Sequence, residues 1–172
     1  MTGQLSGGMI RAIFMFLFIF IPNLVFATPY SNWANLIQNI SSGDQHTLEE
    51  LSETVIRINH SFSDSQSIEF VEAIGFALIK NPLTTLNSTN KLVNNKDVLV
   101  QRYDTGTVCS LPLIMEYSKK STLLYYKLAS ESLKKAGLPA RECLKNMQAS
   151  FEEVESEEER GTMKWGEKEF TP

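Results

Sequence analysis

The sequence predicts an all-α domain of about five or six helices, a compact bundle or a set of stacked helical hairpins closed by one disulfide. Three observations predict it: apolar residues that recur every three or four positions, two cysteines in an exported chain, and an N-terminal segment that resembles an export signal. We divide the 172 residues into a signal peptide (1–27), a helical domain (28–155) and a flexible acidic tail (156–172).

The first segment has the layout of a secretory signal. Arg11 supplies the positive charge, residues 12–21 form an apolar stretch, and the tripeptide "VFA" at 25–27 suits a cleavage site. A helix over residues 12–27 would cover roughly 24 Å, short of the ~30 Å hydrocarbon core of a membrane. We therefore expect cleavage after Ala27 and a periplasmic or secreted protein without a stable membrane anchor. An uncleaved N-terminal anchor is the alternative.

The net charge of the exported part argues against a nucleic-acid partner. Arg11 is the one charged residue of the signal, so 15 of the 16 lysines and arginines remain against all 20 acidic residues, a net charge of −5. Nucleic-acid phosphates require a basic surface. We expect no nucleic-acid partner, whereas a basic protein partner fits this balance.

The cysteines of the chain are Cys109 and Cys143. In an oxidising compartment such a pair usually forms a disulfide, which would stabilise the fold by about 3 to 4 kcal/mol through loop closure. A metal site would need short spacings among cysteines and histidines, and these residues, His46 and His60 show none. We expect a disulfide, no metal and no cofactor.

The first two helices follow from their apolar residues. An opening helix is predicted over residues 30–40. The next begins at Thr47, which forms a capping box with Glu50. Its apolar stripe comprises Leu48, Leu51, Val55, Ile58 and Phe62.

The third and fourth helices meet at a proline. Ser63 and Gln66 form a capping box at the start of the third helix, whose stripe comprises Ile68, Val71, Ile74 and Leu78, broadened by Phe70 and Ala77. The residue before a proline is pushed out of helical geometry, so this helix ends at Asn81. Pro82 then occupies the first position of the next helix, which carries Leu83, Leu86 and Leu92.

An irregular connection precedes the last two helices. Residues 94–113 show no helical period, and we expect a connection that holds one helical turn. Regular structure resumes near Ser121 and ends at Gly137. Pro139 occupies the first position of the last helix, whose stripe comprises Leu144, Met147, Phe151 and Val154. A bond from Cys143 would fasten the irregular connection to this helix.

An acidic tail follows the last apolar stripe. Residues 151–160 hold six glutamates and one arginine, a composition typical of a solvated segment. The alternative is an acidic arm that folds onto a basic partner, with Trp165 and Phe170 as anchors. The candidate partner contacts are Asp104, Glu152, Glu153, Glu155, Glu157 and Trp165.

The sequence does not predict catalytic residues. The tripeptide "DTG" at 104–106 occurs in aspartic proteases, but here it is a single copy in helical surroundings, and a turn explains it. A nucleophile elbow of the G-x-S-x-G kind is missing. An unrecognised hydrolase would have to gather Asp104, His60 and Cys109 around one pocket.

Short motifs between residues 68 and 147 resemble an uncharacterised group of small exported bacterial helical proteins. They are "FALIKNP" (76–82), "VCSLPLI" (108–114), a tyrosine-bearing helix and the second cysteine. In architecture the chain is also similar to periplasmic immunity proteins that neutralise type VI secretion effectors, which implies binding to a toxic enzyme and blocking of its active site.

We therefore expect a small exported binding protein that acts through protein–protein interaction and is not an enzyme. Immunity against a cell-wall-degrading toxin is its most concrete form. The alternative is a structural or maintenance protein of the cell envelope without a dedicated enzyme partner.

Overall fold

The computed structural model describes residues 29–172, with side chains from Trp33 onward, and the regular secondary structure of this part of the chain is helical apart from one isolated β-bridge. Its helices are α1 (Pro29–Ser42), α2 (Gln45–Glu49), α3 (Leu51–Ile58), α4 (Asp64–Lys80), α5 (Pro82–Asn90), α6 (Val98–Gln101), α7 (Thr105–Val108), α8 (Lys119–Ala136) and α9 (Arg141–Glu159). Two 3-10 turns accompany them at Asn59–Ser61 and Leu138–Ala140. The predicted all-α fold is confirmed. The predicted signal peptide lies outside the described residues.

Six of these helices have eight residues or more, which matches the expected number of regular helices. α4 is central: α1, α5 and α8 pack against it, and α9 packs against α8. The central position follows from its sequence, since α4 buries side chains over most of its circumference. Within residues 29–172, none of the helices has the length and apolar character needed to cross a bilayer.

The predicted helix starts are partly confirmed. Ser63 and Gln66 form the reciprocal capping box before α4, and Pro82 opens α5. The predicted box of Thr47 and Glu50 is wrong. The Asp44 carboxylate accepts a hydrogen bond from the Thr47 N–H at 2.8 Å, so α2 begins before Thr47.

The long helix predicted over 47–62 is interrupted. Glu50 joins α2 to α3, and α3 ends at Ile58 before a 3-10 turn. The apolar stripe nevertheless faces the core, because Leu48, Leu51 and Val55 are fully buried.

The irregular connection holds two short helices, α6 and α7, instead of one helical turn. Aspartates at their N-caps set both starts, because each carboxylate accepts a backbone N–H of the first turn: Asp97 from Leu99 and Asp104 from Thr107, both at 2.9 Å.

The predicted disulfide between Cys109 and Cys143 is confirmed, with the two Cα atoms 5.1 Å apart. Cys109 caps the end of α7, and Cys143 lies in the first turn of α9. The bond thus fastens the connection to the last helix, as expected. Pro139, however, lies in the 3-10 turn before α9 and does not occupy the first position of that helix.

The C-terminal residues differ from the expected flexible tail. α9 continues to Glu159, and the chain then turns back at Gly161, whose φ of +70° favours glycine. Lys168 forms an isolated parallel β-bridge with Tyr117. The end of the chain is therefore docked on the domain.

Candidate functional site

A groove of about 500 Å³ opens between α4 and the chain that follows α6. We call it the open groove. Ile68, Val71, Pro112 and Met115 supply its apolar lining, and Asp64, Arg102 and Glu116 supply charged groups. An apolar surface that combines with a few charged groups is the usual composition of a site that binds another molecule.

Two large apolar side chains in the open groove are exposed to solvent. Ile68 is 42% exposed and Met115 is 69% exposed. Ile68 was expected in the buried stripe of its helix, and that expectation is wrong, although Phe70 and Ile74 of the same predicted stripe are fully buried. Neighbouring exposed apolar side chains in one groove indicate an interaction surface.

The backbone beside the open groove is strained at Leu111. Among the described residues it is the one non-glycine residue with a positive φ, at 54°, a conformation that costs about 1 to 2 kcal/mol for such a residue. Burial of Leu111 and Leu113, together with the adjacent disulfide, holds it there. Such strain is often found at binding sites, and here it lies next to Pro112 of the groove.

None of the six residues predicted as partner contacts lines the open groove. Asp104 caps α7. Glu152, Glu153 and Glu155 are exposed on α9, while Glu157 and Trp165 are partly buried.

The glutamates at the C-terminal end of α9 interact unfavourably with the dipole of their own helix. A helix C-terminus carries partial negative charge, and the last turn of α9 contains no basic residue. One of its carboxylates, that of Glu158, forms an ion pair with Lys119 at 2.5 Å.

A second site lies beneath the docked end of the chain. We call residues 164–170 the latch. The Gly166 N–H donates to the Tyr117 carbonyl at 3.0 Å, and the Lys168 N–H donates to the Glu116 carbonyl at 2.9 Å. The Ser118 N–H donates in turn to the Lys168 carbonyl at 2.9 Å. The latch therefore pairs like an added strand.

The Lys168 side chain of the latch enters an acidic pocket. Its Nζ lies 2.7 Å from Glu72 Oε1 and 3.3 Å from Glu116 Oε2. It also lies 5.7 Å from the centre of the Tyr117 ring. Glu72 is 8% exposed, so the ammonium neutralises a carboxylate that is nearly removed from water.

The acidic pocket raises the pKa values of Lys168 and Tyr117, the two side chains that contact Glu72. Burial lowers the pKa of Lys168, but the hydrogen bonds and negative charges of Glu72 and Glu116 outweigh it, so the pKa is raised. Burial, followed by the charge of Glu72, raises the pKa of Tyr117 to about 12. The Tyr117 hydroxyl donates to Glu72 Oε2 at 3.4 Å.

An aromatic cluster receives the end of the latch. The Phe170 ring stacks on Phe76 with centroids 4.9 Å apart and approaches Tyr125 edge-on at 6.3 Å. The Phe170 N–H donates to Ser121 Oγ at 2.8 Å, and the Ser121 hydroxyl donates to Glu169 Oε2 at 2.7 Å.

Cys109 and His60, which a hydrolase would have to gather around one pocket, make other contacts in this structure. The disulfide buries Cys109 and removes its thiol, and His60 pairs with Asp97 at 2.8 Å. Within the part of the chain that the structure describes, no cluster of three or more histidine, cysteine or acidic side chains is arranged to hold a metal ion.

Comparison with known proteins gives no further guide to function. No protein-family model, no curated protein and no solved structure matches the chain, so the resemblance to exported helical proteins and to immunity proteins stays a prediction.

Proposed function

We propose that the protein is a small exported binding protein whose open groove holds an apolar side chain of a partner protein. The observation that carries this proposal is the exposure of Ile68 and Met115 in one groove. Burying both side chains against a partner would favour association by about 25 cal/mol for each Å² of apolar surface removed from water.

The charges around the open groove indicate the chemistry of the partner. Asp64 and Glu116 outnumber Arg102, and the chain beyond residue 27 has a net charge of −5, since it holds 15 of the 16 basic and all 20 acidic residues. A partner segment with an aliphatic side chain flanked by basic residues fits this surface. In its most concrete form the partner is a basic toxin that degrades the cell wall, and binding of this protein would block the toxin's activity.

The disulfide supports the exported location. Disulfides form and persist in oxidising compartments and are rare in the cytosol. The bond between Cys109 and Cys143 joins two parts of the core, so it has a structural role that a reducing compartment would remove.

Affinity capture tests the proposal. The full chain serves as bait in an extract of exported proteins from the source organism, at low salt. Met115→Glu places a charge in the groove, and Leu138→Glu is the matched control, because Leu138 is 80% exposed and lies outside the groove.

We expect the native chain and Leu138→Glu to capture the same stoichiometric protein and Met115→Glu to lose it. Equal capture by all three chains, or no stoichiometric partner at low salt, would refute the proposal.

A further inference from the structure

We infer that the surface beneath the latch is a second binding site, which recognises an extended segment of another protein. The segment it fits has glycine, lysine and an aromatic residue at alternate positions. In this structure the chain's own Gly166, Lys168 and Phe170 fill these positions. The site lies between α4, which supplies Glu72 and Phe76, and the segment from Glu116 into α8, which supplies Ser121 and Tyr125. It is distinct from the open groove, although Glu116 borders both.

The first position accepts glycine because the two backbones touch. A Cβ at residue 166 would overlap the carbonyl carbon and oxygen of Glu116. The three backbone hydrogen bonds between the latch and residues 116–118 are of the kind that binds a peptide by strand addition. They give affinity for any extended chain, while the close approach selects for the smallest residue.

The second position accepts a cation because the pocket is acidic. Two carboxylates, Glu72 and Glu116, face a single ammonium. Glu72 is the more buried of the two, and an unpaired buried charge is strongly unfavourable. When the latch leaves, the pocket therefore favours a replacement amine over water or an apolar side chain.

The third position accepts an aromatic ring. Phe76 offers its face and Tyr125 approaches edge-on, at geometries that aromatic pairs prefer. Ser121 adds a hydrogen bond to the backbone N–H at this position. The spacing of Gly166, Lys168 and Phe170 by two residues matches the period of an extended strand, so one short peptide carries all three groups.

The connection to the latch is exposed at residues 160–162, so the latch can be exchanged for another segment without disturbing the core. The latch follows the last helix through residues 160–163, and Gly161 supplies the turn. Glu167, between two anchoring positions, is exposed. A tethered segment has an effective concentration on the order of millimolar, so the latch competes with any incoming segment of the same chemistry.

A peptide titration tests this inference. The probe is a fluorescently labelled peptide with the sequence of residues 164–172, "KWGEKEFTP". Gly166→Ala in the full chain releases the latch through the overlap with Glu116. Glu167→Ala is the matched control, because it alters an outward position of the same segment and leaves the latch in place.

We expect the Gly166→Ala chain to bind the probe at least tenfold more tightly than the native and Glu167→Ala chains. Probes that carry Gly166→Ala, Lys168→Ala or Phe170→Ala should each lose most of this binding. Release of the latch is measured separately, as faster trypsin cleavage after Lys164 and Lys168 with an unchanged helical circular dichroism spectrum.

The inference is overturned if the latch is released and the probe still does not bind, or if all probes bind equally. Should Gly166→Ala fail to fold, the same titration of the Lys168→Ala/Phe170→Ala chain decides the question by the same criteria. A negative result in the peptide titration would not bear on the proposal for the open groove, because that proposal is tested separately, by affinity capture with Met115→Glu.

Discussion

The Nζ of Lys168 lies 2.7 Å from Oε1 of Glu72, although 96 residues separate them in the chain. The carboxylate belongs to the central helix α4 and the ammonium to the latch. The pair therefore joins the end of the chain to the middle of the fold, and its removal has a measurable cost.

We expect Lys168→Ala to lower the free energy of unfolding by about 1 to 2 kcal/mol, because it leaves a buried carboxylate without its cation. The lysine side chain is 47% exposed, and solvent screening keeps the loss at the lower end of the range for buried pairs. Urea denaturation measures it. Lys164→Ala, in the same segment but outside this pocket, should change stability by less than about 0.5 kcal/mol; equal losses would contradict the role given to the pair.

The second prediction concerns alkaline pH. Burial and the charge of Glu72 raise the pKa of Tyr117 from 10.0 to about 12, and the pKa of Lys168 is raised above 10.5 by its two carboxylates despite burial. Groups whose pKa is raised on folding stabilise the native state fully below the unfolded pKa and cease to do so above the folded one.

The stabilisation contributed by Lys168 and Tyr117 should therefore be constant up to about pH 10 and be lost progressively between about pH 10 and 12. Thermal unfolding followed by circular dichroism across this range measures the fall. Tyr117→Phe should make the fall shallower, because the variant has no hydroxyl to ionise at this position. An identical pH profile for the variant would show that Tyr117 does not contribute.

The third prediction concerns the disulfide. Cys109 and Cys143 are 34 residues apart in sequence, and opening a loop of this size costs about 3 to 4 kcal/mol in the chain-entropy description. We expect a reductant to lower the urea midpoint of the native chain and to leave the Cys109→Ser/Cys143→Ser chain unchanged. A native midpoint that does not respond to complete reduction would refute this stabilisation.

The fourth prediction compares two residues of α4. Phe70 is fully buried among Phe62 and Tyr103, each with its ring centre 5.3 Å from that of Phe70. We expect Phe70→Ala to destabilise the fold by about 3 to 5 kcal/mol through lost burial and the cavity left behind. Ile68→Ala, on the exposed side, should cost less than about 1 kcal/mol. Similar losses at the two positions would mean that Ile68 belongs to the core.

Local signals made much of the fold predictable. The capping box of Ser63 and Gln66, the helix start at Pro82 and the helix end at Gly137 each depend on residues close in sequence, and all three are confirmed. The disulfide was predictable because the chain has two cysteines. The predicted helix start at Thr47 was wrong because the carboxylate of Asp44, three residues earlier, accepts the backbone hydrogen bond at the start of this helix.

The sites were less predictable, because they depend on distant residues. The apolar period of a helix predicts which face is buried, but it does not predict which edge of that face a neighbouring helix covers. The sequence therefore could not show that Phe70 is buried and Ile68 is exposed. The same limit applied to Lys168: in an acidic, lysine-containing tail it resembled a solvated residue, and its partner Glu72 gives no signal in the sequence. The period of two through Gly166, Lys168 and Phe170 was the one hint of an extended segment.

Synthesis proceeds from the N-terminus, so Glu72 is made long before Lys168, the residue that neutralises it 96 positions later. Until Lys168 has been made and has docked, the central helix carries a buried negative charge without a counterion, which is unfavourable. The helical domain therefore reaches its full stability only after the latch has paired with residues 116–118.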